Sequence, residues 1–219
     1  MARYKVDQRM IEFRSACNML DWKLHEKDEW GMIKWLLDFK LFKQGHNRKV
    51  CPIVITKEED LEFTAVFDYA YTISSKNSSH TYRQTVYFRY SKTIALPHFL
   101  MVPEKWYHRL GTYFGMQDID FVQYPAFSHK YLIQGKDEEY IRYHFDNPDL
   151  IRYFDRQELF SLEGMNYLMV MYIHNHVMVP KHIVQLVNIG NTIHNFMTEK
   201  TPDISLPDFD MDDIKIDPD

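Results

Sequence analysis

Residues 61–90 read LEFTAVFDYAYTI (61–73), SSKNSSH (74–80) and TYRQTVYFRY (81–90). In the first run Leu61, Phe63, Ala65, Phe67, Tyr69, Tyr71 and Ile73 alternate with Glu62, Thr64, Val66, Asp68, Ala70 and Thr72. Successive side chains of a strand point to opposite faces, so a period of two over this length predicts a long half-buried strand. The small and polar residues that follow predict a loop. The second run, rich in β-branched and aromatic residues, returns as its antiparallel partner. On that partner Tyr82, Val86, Phe88 and Tyr90 share one face, and Arg83, Thr85, Tyr87 and Arg89 the other.

Upstream of the hairpin, Val6, Met10, Phe13, Cys17, Leu20 and Leu24 step by four and three, the apolar stripe of a helix, with Arg3, Lys5, Asp7, Arg9, Glu12 and Arg14 around it. Docking on the domain's own core is its expected use. Pairing with a partner, or lying on a membrane surface, is the alternative. Asp28 is placed to cap a second helix. Residues 39–45, FKLFKQG, leave that helix as a strand, and 48–56 form another, with Pro52 confining it to an edge or breaking its first half. Downstream, 98–102 is a short strand and Pro103 opens a helix stopped at Gly115. A short strand is expected at 119–123, and another where Phe127, His129, Tyr131 and Ile133 alternate. Asp137, Glu138 and Glu139 suit a first helical turn, and Asn147-Pro148 reads as the N-cap and first position of the next helix. A second hairpin joins 159–163 to 167–173 around a turn at 164–166. Pro180 opens the last helix, apolar at Ile183, Leu186, Val187, Gly190, Ile193 and Met197. The fold class that follows is α+β, an antiparallel sheet built from hairpins with helices packed mainly on one side. It divides into a helical segment at 1–37, an α+β domain at 38–198 and an acidic, disordered tail at 199–219.

Composition narrows the function classes. Apolar residues make up 45% of the 219, aromatics 16%, and there are only seven glycines, which supports a packed core. The formal net charge of −5 is unevenly placed: residues 199–219 carry eight acids against two lysines, leaving 23 acids and 24 bases in the rest. A neutral body lacks the electrostatic footprint of a nucleic-acid binder. Cys17 and Cys51 are the only cysteines and have no metal-ligand spacing, so buried free thiols in a reducing compartment are expected. The first residues show no secretory h-region, and no apolar run reaches eighteen residues, which predicts a cytoplasmic protein, with the membrane surface as an alternative.

Chemistry-bearing residues are few. No GxSxG, P-loop, GxGxxG, HExxH or EF-hand pattern occurs, and no cofactor is implied. Asp68 is the most conspicuous carboxylate, mid-strand on the face opposite the aromatic row. It is the one candidate catalytic residue, provided a histidine approaches it. A cross-strand ion pair with Arg83 or Arg89 explains it more simply. His174 and His176 are two residues apart, share a face if they lie on a strand, and are weak metal-ligand candidates whose further ligands would come from His182, His194 or Glu163. A polar strand-to-helix loop is the alternative. His182 and His194, twelve apart on one helix, point about 120° away from each other. In the tail, Phe209, Met211 and Ile214 are interleaved with aspartates, a pattern that can fold onto a protein partner or fill a groove on the same protein.

The segments FTAVFDYAYTI, QTVYFRY, LPHFLMVPE, DIDF, FSHKYLIQGKDEEYIRYHF and LFSLEG, in that order, resemble the soluble domain of a group of uncharacterised bacterial proteins, over about residues 36–197. The resemblance implies a soluble α+β domain, often preceded by one or two membrane helices, and carries no activity or site residues. This chain departs from that pattern in having no membrane helix at its start. The expected function is a non-enzymatic cytoplasmic binding or interaction module. An enzyme built around Asp68 and a histidine, or a peripheral membrane domain, is the alternative.

Overall fold

The computed structural model describes residues 2–26, 32–59, 62–107, 118–157 and 159–200. Along the chain these form α1 (Ala2–Leu20), β1 (Lys23–His25), α2 (Met32–Leu36), α3 (Lys40–Lys43), β2 (His46–Glu59), β3 (Glu62–Ser74), β4 (Ser79–Ser91) and β5 (Leu96–Pro103). There follow α4 (Glu104–Tyr107), α5 (Pro125–Lys130), β6 (Tyr131–Gly135), α6 (Glu138–Phe145), α7 (Pro148–Arg156), β7 (Ser161–Asn166), β8 (Leu168–Tyr172) and α8 (Pro180–Thr198).

The strands make one eight-stranded sheet in the order β1-β2-β3-β4-β8-β7-β5-β6, every pair antiparallel. The 61–90 hairpin is its longest ladder. β3 and β4 pair without a slip from Glu62 opposite Ser91 to Ser74 opposite Ser79. The β7–β8 hairpin attaches along β4, closing on a turn in which Asn166 takes φ +52°, a left-handed conformation that asparagine tolerates. That turn lies two residues later than the sequence suggests. Gly164 stays in β7, where a Cβ would stand 2.3 Å from the Phe99 ring. In β2 the ladder slips between Val50 and Val54, and Pro52 falls within that slip; β1 pairs only with Val54, Ile55 and Thr56. The proline therefore sits where no regular ladder bond is asked of it.

The helices lie mainly on one side. α1, α5, α6, α7 and α8 build a core with Val66, Tyr87, Met101, Ile133, Leu162 and Met171 of the sheet. The other face carries the aromatic row of β3 (Phe67, Tyr69 and Tyr71) with Val86, Phe88, Val170 and Tyr172, covered by α2, Phe39 and α3. The apolar stripe of α1 docks inward, with Phe13, Ala16 and Cys17 buried. Each fully buried large side chain contributes roughly 1.5–3 kcal/mol through area removed from water. α8 crosses β4 at Gly190, where a Cβ would lie 2.5 Å from the Tyr87 ring.

The hairpin departs from its half-buried reading. Its polar face is covered as well: Thr64, Asp68, Thr72 and Thr85 are buried along with the aromatic row. Alternating polarity marks a face that must be satisfied, and here Arg9 of α1 satisfies Asp68 while cross-strand partners on β4 satisfy Thr64 and Thr72. Residues 39–45 are not a strand, since Lys40–Lys43 form α3. The chain around 119–123 contributes an isolated bridge, Asp118 with Gln134, and then a turn. Phe127 and His129 belong to α5, which Pro125 opens, and only Tyr131 onward is strand. Asn147 accepts from the backbone of Asp149 and Leu150 as the cap of α7, and Asp137 accepts from Tyr140 as the cap of α6.

Candidate functional site

Asp68 does not pair with Arg83 or Arg89. Thr85 stands opposite it in the ladder, and its ion-pair partner comes from α1. Arg9 donates Nε to Oδ2 at 2.6 Å and Nη2 to Oδ1 at 2.8 Å, while Thr85 Oγ1 donates to Oδ1 at 2.7 Å. The guanidinium also donates to Glu12 Oε2 at 2.6 Å and to the Met178 carbonyl at 2.7 Å, and lies 4.5 Å over the Phe13 ring. Met178 N–H closes the circuit by donating to Thr85 Oγ1 at 2.9 Å. Burial works against the charged Arg9, but Asp68 and Glu12 outweigh it and hold its pKa above the ordinary arginine value. Both Asp68 oxygens are occupied, and none of their hydrogen-bond partners is a histidine.

A second polar cluster lies further along the same face. Glu62 pairs with Arg89 and accepts from Ser91 Oγ at 2.7 Å and Thr93 Oγ1 at 3.1 Å. Burial opposes its charge, yet Ser91 and Arg89 prevail and lower its pKa. Arg89 also donates to Thr64 Oγ1 at 2.9 Å, and Tyr87 OH donates to Asn191 of α8 at 2.9 Å. Beside this cluster His194 is buried. Burial and then the Arg89 charge push its pKa down to about 4, so it stays neutral near pH 7, and its Nε2 has no hydrogen-bond partner among the described residues.

Glu163 on β7 serves the opposite face. It accepts from the backbone N–H of Lys40 at 2.6 Å and of Leu41 at 3.0 Å, and from Tyr172 OH at 3.3 Å. It therefore caps α3 from a strand more than a hundred residues away, a role normally taken by a neighbouring residue. Complete burial pushes its pKa up to about 7, against the pull of those donors.

His174 and His176 are not on a strand. Residues 173–176 form a turn closed by His176 N–H donating to the Ile173 carbonyl at 3.2 Å, with Asn175 at φ +53°. The His174 ring lies tilted against that of Tyr82, 5.2 Å between centroids, while His176 lines a cavity. Glu163 and His194 belong to the two separate clusters above. Among the described residues no group of three or more His, Cys, Asp or Glu could hold a metal ion. Cys17 is buried, and burial pushes its thiol up to about 11. The side chain of Cys51, and the tail residues Phe209, Met211 and Ile214, lie outside the described residues.

The concave feature that brings functional groups together is a cavity of about 350 Å³ between the end of α7, the start of β7, the β8–α8 loop and the first half of α8. Its floor is apolar: Phe160, Met178 and Leu186 are buried, with Ile173 and Ile189 beside them. Its rim is polar and exposed, formed by Arg156, His176, His182, Gln185 and Asn188. Met178 joins this floor to the Asp68 circuit through both its carbonyl and its N–H. A second, more open groove of about 540 Å³ is lined by Phe121, Val122, Glu139, Arg142 and Asp146. Its arginine is engaged with Glu138 and the Asp120 carbonyl. Asp68 lines neither.

Sequence reasoning missed Arg9 and Arg156. Arg9 stands four residues before Phe13, which places it at the edge of the buried stripe, and that position was the available signal. Arg156 had none, because its neighbours in the cavity are distant in sequence.

The architecture is that of an α+β protein with one antiparallel sheet, helices mainly on one face, and a helix-flanked cavity at its side. No family model and no curated protein matches the chain. Among solved structures, the crystal structure of the mycobacterial trehalose monomycolate transport factor A, TtfA, is similar, with a TM-score of 0.53 and 9% identity, over 86% of this chain and 92% of that chain. At that identity the likeness concerns the fold. Among the described residues no helix is long and apolar enough to cross a membrane.

Proposed function

We propose that this chain is a non-enzymatic binding module that takes its ligand in the cavity between α7, the β8–α8 loop and α8. The observation that carries this reading is the distribution of partners. The charged groups beneath the helices, Asp68, Arg9, Glu62 and Arg89, are bound to one another and fix α1 and α8 to the sheet. The cavity, by contrast, presents side-chain donors at its rim above an apolar floor, the usual make-up of a small-ligand site. Its floor is fixed in place by Arg9 and Thr85, and a pre-formed site loses less entropy on binding. The test is fragment screening of the isotope-labelled protein by two-dimensional amide NMR. Shifts gathered on His176, Met178, His182, Gln185 and Ile189 are expected. Fragments that shift residues scattered elsewhere and leave these five unmoved would overturn the reading.

A further inference from the structure

We infer that the cavity's occupant is a small amphipathic anion, with a carboxylate or phosphate head held by Arg156, His176 and His182 and an apolar body resting on Phe160, Met178 and Leu186; this rests on the binding reading just given. Three observations point the same way. First, the side chains of Arg156, His176 and His182 make no hydrogen bond or ion pair among the described residues, although all three line one cavity of about 350 Å³. Among the other described arginines, Arg14 and Arg83 likewise make no side-chain hydrogen bond or ion pair, but neither lines this cavity. Arg9, Arg48, Arg89, Arg142 and Arg152 each hold an acid or a carbonyl. Guanidinium and imidazole N–H groups converging on one space match the acceptor oxygens of a carboxylate or phosphate.

Second, no described acid lines the cavity; Glu158 lies outside the described residues. The open groove near Arg142 shows the contrary case, with Glu139 and Asp146 in its wall. The start of α8 adds to the sign of the field. It is a nineteen-residue helix opening at Pro180, with no side chain capping it, and its positive dipole end lies beside His182. Third, the floor excludes a bare anion as the natural ligand. Phe160, Met178 and Leu186 with Ile173 and Ile189 offer apolar surface that inorganic phosphate would leave uncovered. A neutral apolar ligand would cover the floor and leave three donors idle at the rim. The volume lies at the lower end of small-ligand pockets, which suits a short chain or a single ring system.

The experiment is calorimetric titration of the full chain with decanoate, decyl phosphate, decanol, decyltrimethylammonium and inorganic phosphate, below their micellar concentrations, with amide NMR to locate each binder. Decanoate or decyl phosphate is expected to bind at least tenfold tighter than decanol, the ammonium or inorganic phosphate, and to shift His176, Met178 and His182. R156Q, at an exposed position, is expected to weaken the anionic binder at least fivefold, with an unchanged circular dichroism spectrum. Leu186→Ala is the complementary variant, expected to weaken decanoate without creating phosphate binding. Decanol binding in the cavity as tightly as decanoate, or R156Q leaving decanoate unaffected, would overturn the anion assignment while the binding site itself stands. Probes that leave the cavity residues unmoved would overturn both. A synthetic peptide of residues 201–219 shifting these residues where decanoate shifts none would overturn the small-ligand assignment in favour of the chain's own tail.

Discussion

Replacing Asp68 by asparagine keeps the shape of the side chain and removes its charge from a nearly closed circuit. The side chains of Arg9 and Asp68 are 14% and 7% exposed, so their two hydrogen bonds are made largely out of water. Removing one partner of a buried pair costs about 3–5 kcal/mol, mostly because the other charge is left uncompensated. Here Arg9 keeps Glu12 and the Met178 carbonyl, which relieves part of that cost. The expected loss for Asp68→Asn is therefore about 2–4 kcal/mol. For a chain of this size that lowers Tm by roughly 5–15 °C. Urea unfolding followed by circular dichroism measures it. Arg9→Met should cost a similar amount, and the double variant should fall short of the sum by more than about 1.5 kcal/mol if the two act as one unit. Arg152→Gln breaks the Arg152–Asp149 pair, 65% exposed on both sides, and serves as the control, expected within about 0.5 kcal/mol of wild type. Asp68→Asn and Arg9→Met losses no larger than that control, or strict additivity of the two, would refute the reasoning.

Glu163 predicts a pH dependence. Its folded pKa of about 7 lies above the ordinary glutamate value, so the folded state holds the proton more tightly. Its stabilising contribution is fully present below the unfolded pKa and is lost as pH rises through about 7, worth about 2–3 kcal/mol between pH 5 and pH 8. His194 works the other way: its folded pKa of about 4 is depressed, so stability falls as pH drops from about 6.5 towards 4. The readout is therefore the difference in urea midpoint between wild type and Glu163→Gln, which should shift in favour of the variant as pH rises from 5 to 8, and a pH-independent difference would contradict the assignment. Gly190→Ala should gain about 1 kcal/mol of helix propensity and lose more than that to the overlap with Tyr87, for a net loss of about 1–3 kcal/mol by thermal melting. A Gly190→Ala variant more stable than wild type would mean that α8 slides freely over β4.

Elements with local signals were legible. The period of two set the β3–β4 hairpin, Asn147-Pro148 set the start of α7, and Pro180 with the three-and-four spacing set α8. The α1 stripe marked the helix and its inward face as far as Leu20, whereas its last member, Leu24, belongs to β1 and pairs with Ile55. Elements fixed from a distance were not legible. Residues 39–45 alternate well enough for a strand, but Glu163 supplies the cap that makes Lys40–Lys43 a helix. Phe127 and His129 alternate by coincidence, and Pro125 at the first helical position was the stronger signal. Asp68 was singled out correctly as a residue needing a partner, and the partner lies 59 residues away on another element. The cavity is harder still, since α7, the β8–α8 loop and α8 contribute side chains that share no motif.

The Arg9 circuit also dictates an order of events during synthesis. α1 leaves the ribosome early, but the carbonyl that Arg9 holds belongs to Met178, 169 residues later, and the core it joins includes Leu186, Val187 and Ile193 of α8. At about 5–20 residues per second, Phe13 and Cys17 wait on the order of ten seconds or more for their final neighbours. Through that interval the helix lacks its α8 neighbours, and of its final core only the earlier sheet residues, such as Val66 and Tyr87, are at hand. Contact with the β3–β4 hairpin, which shares that core and is complete about ninety residues before Met178, is the cover the chain itself can supply in the meantime.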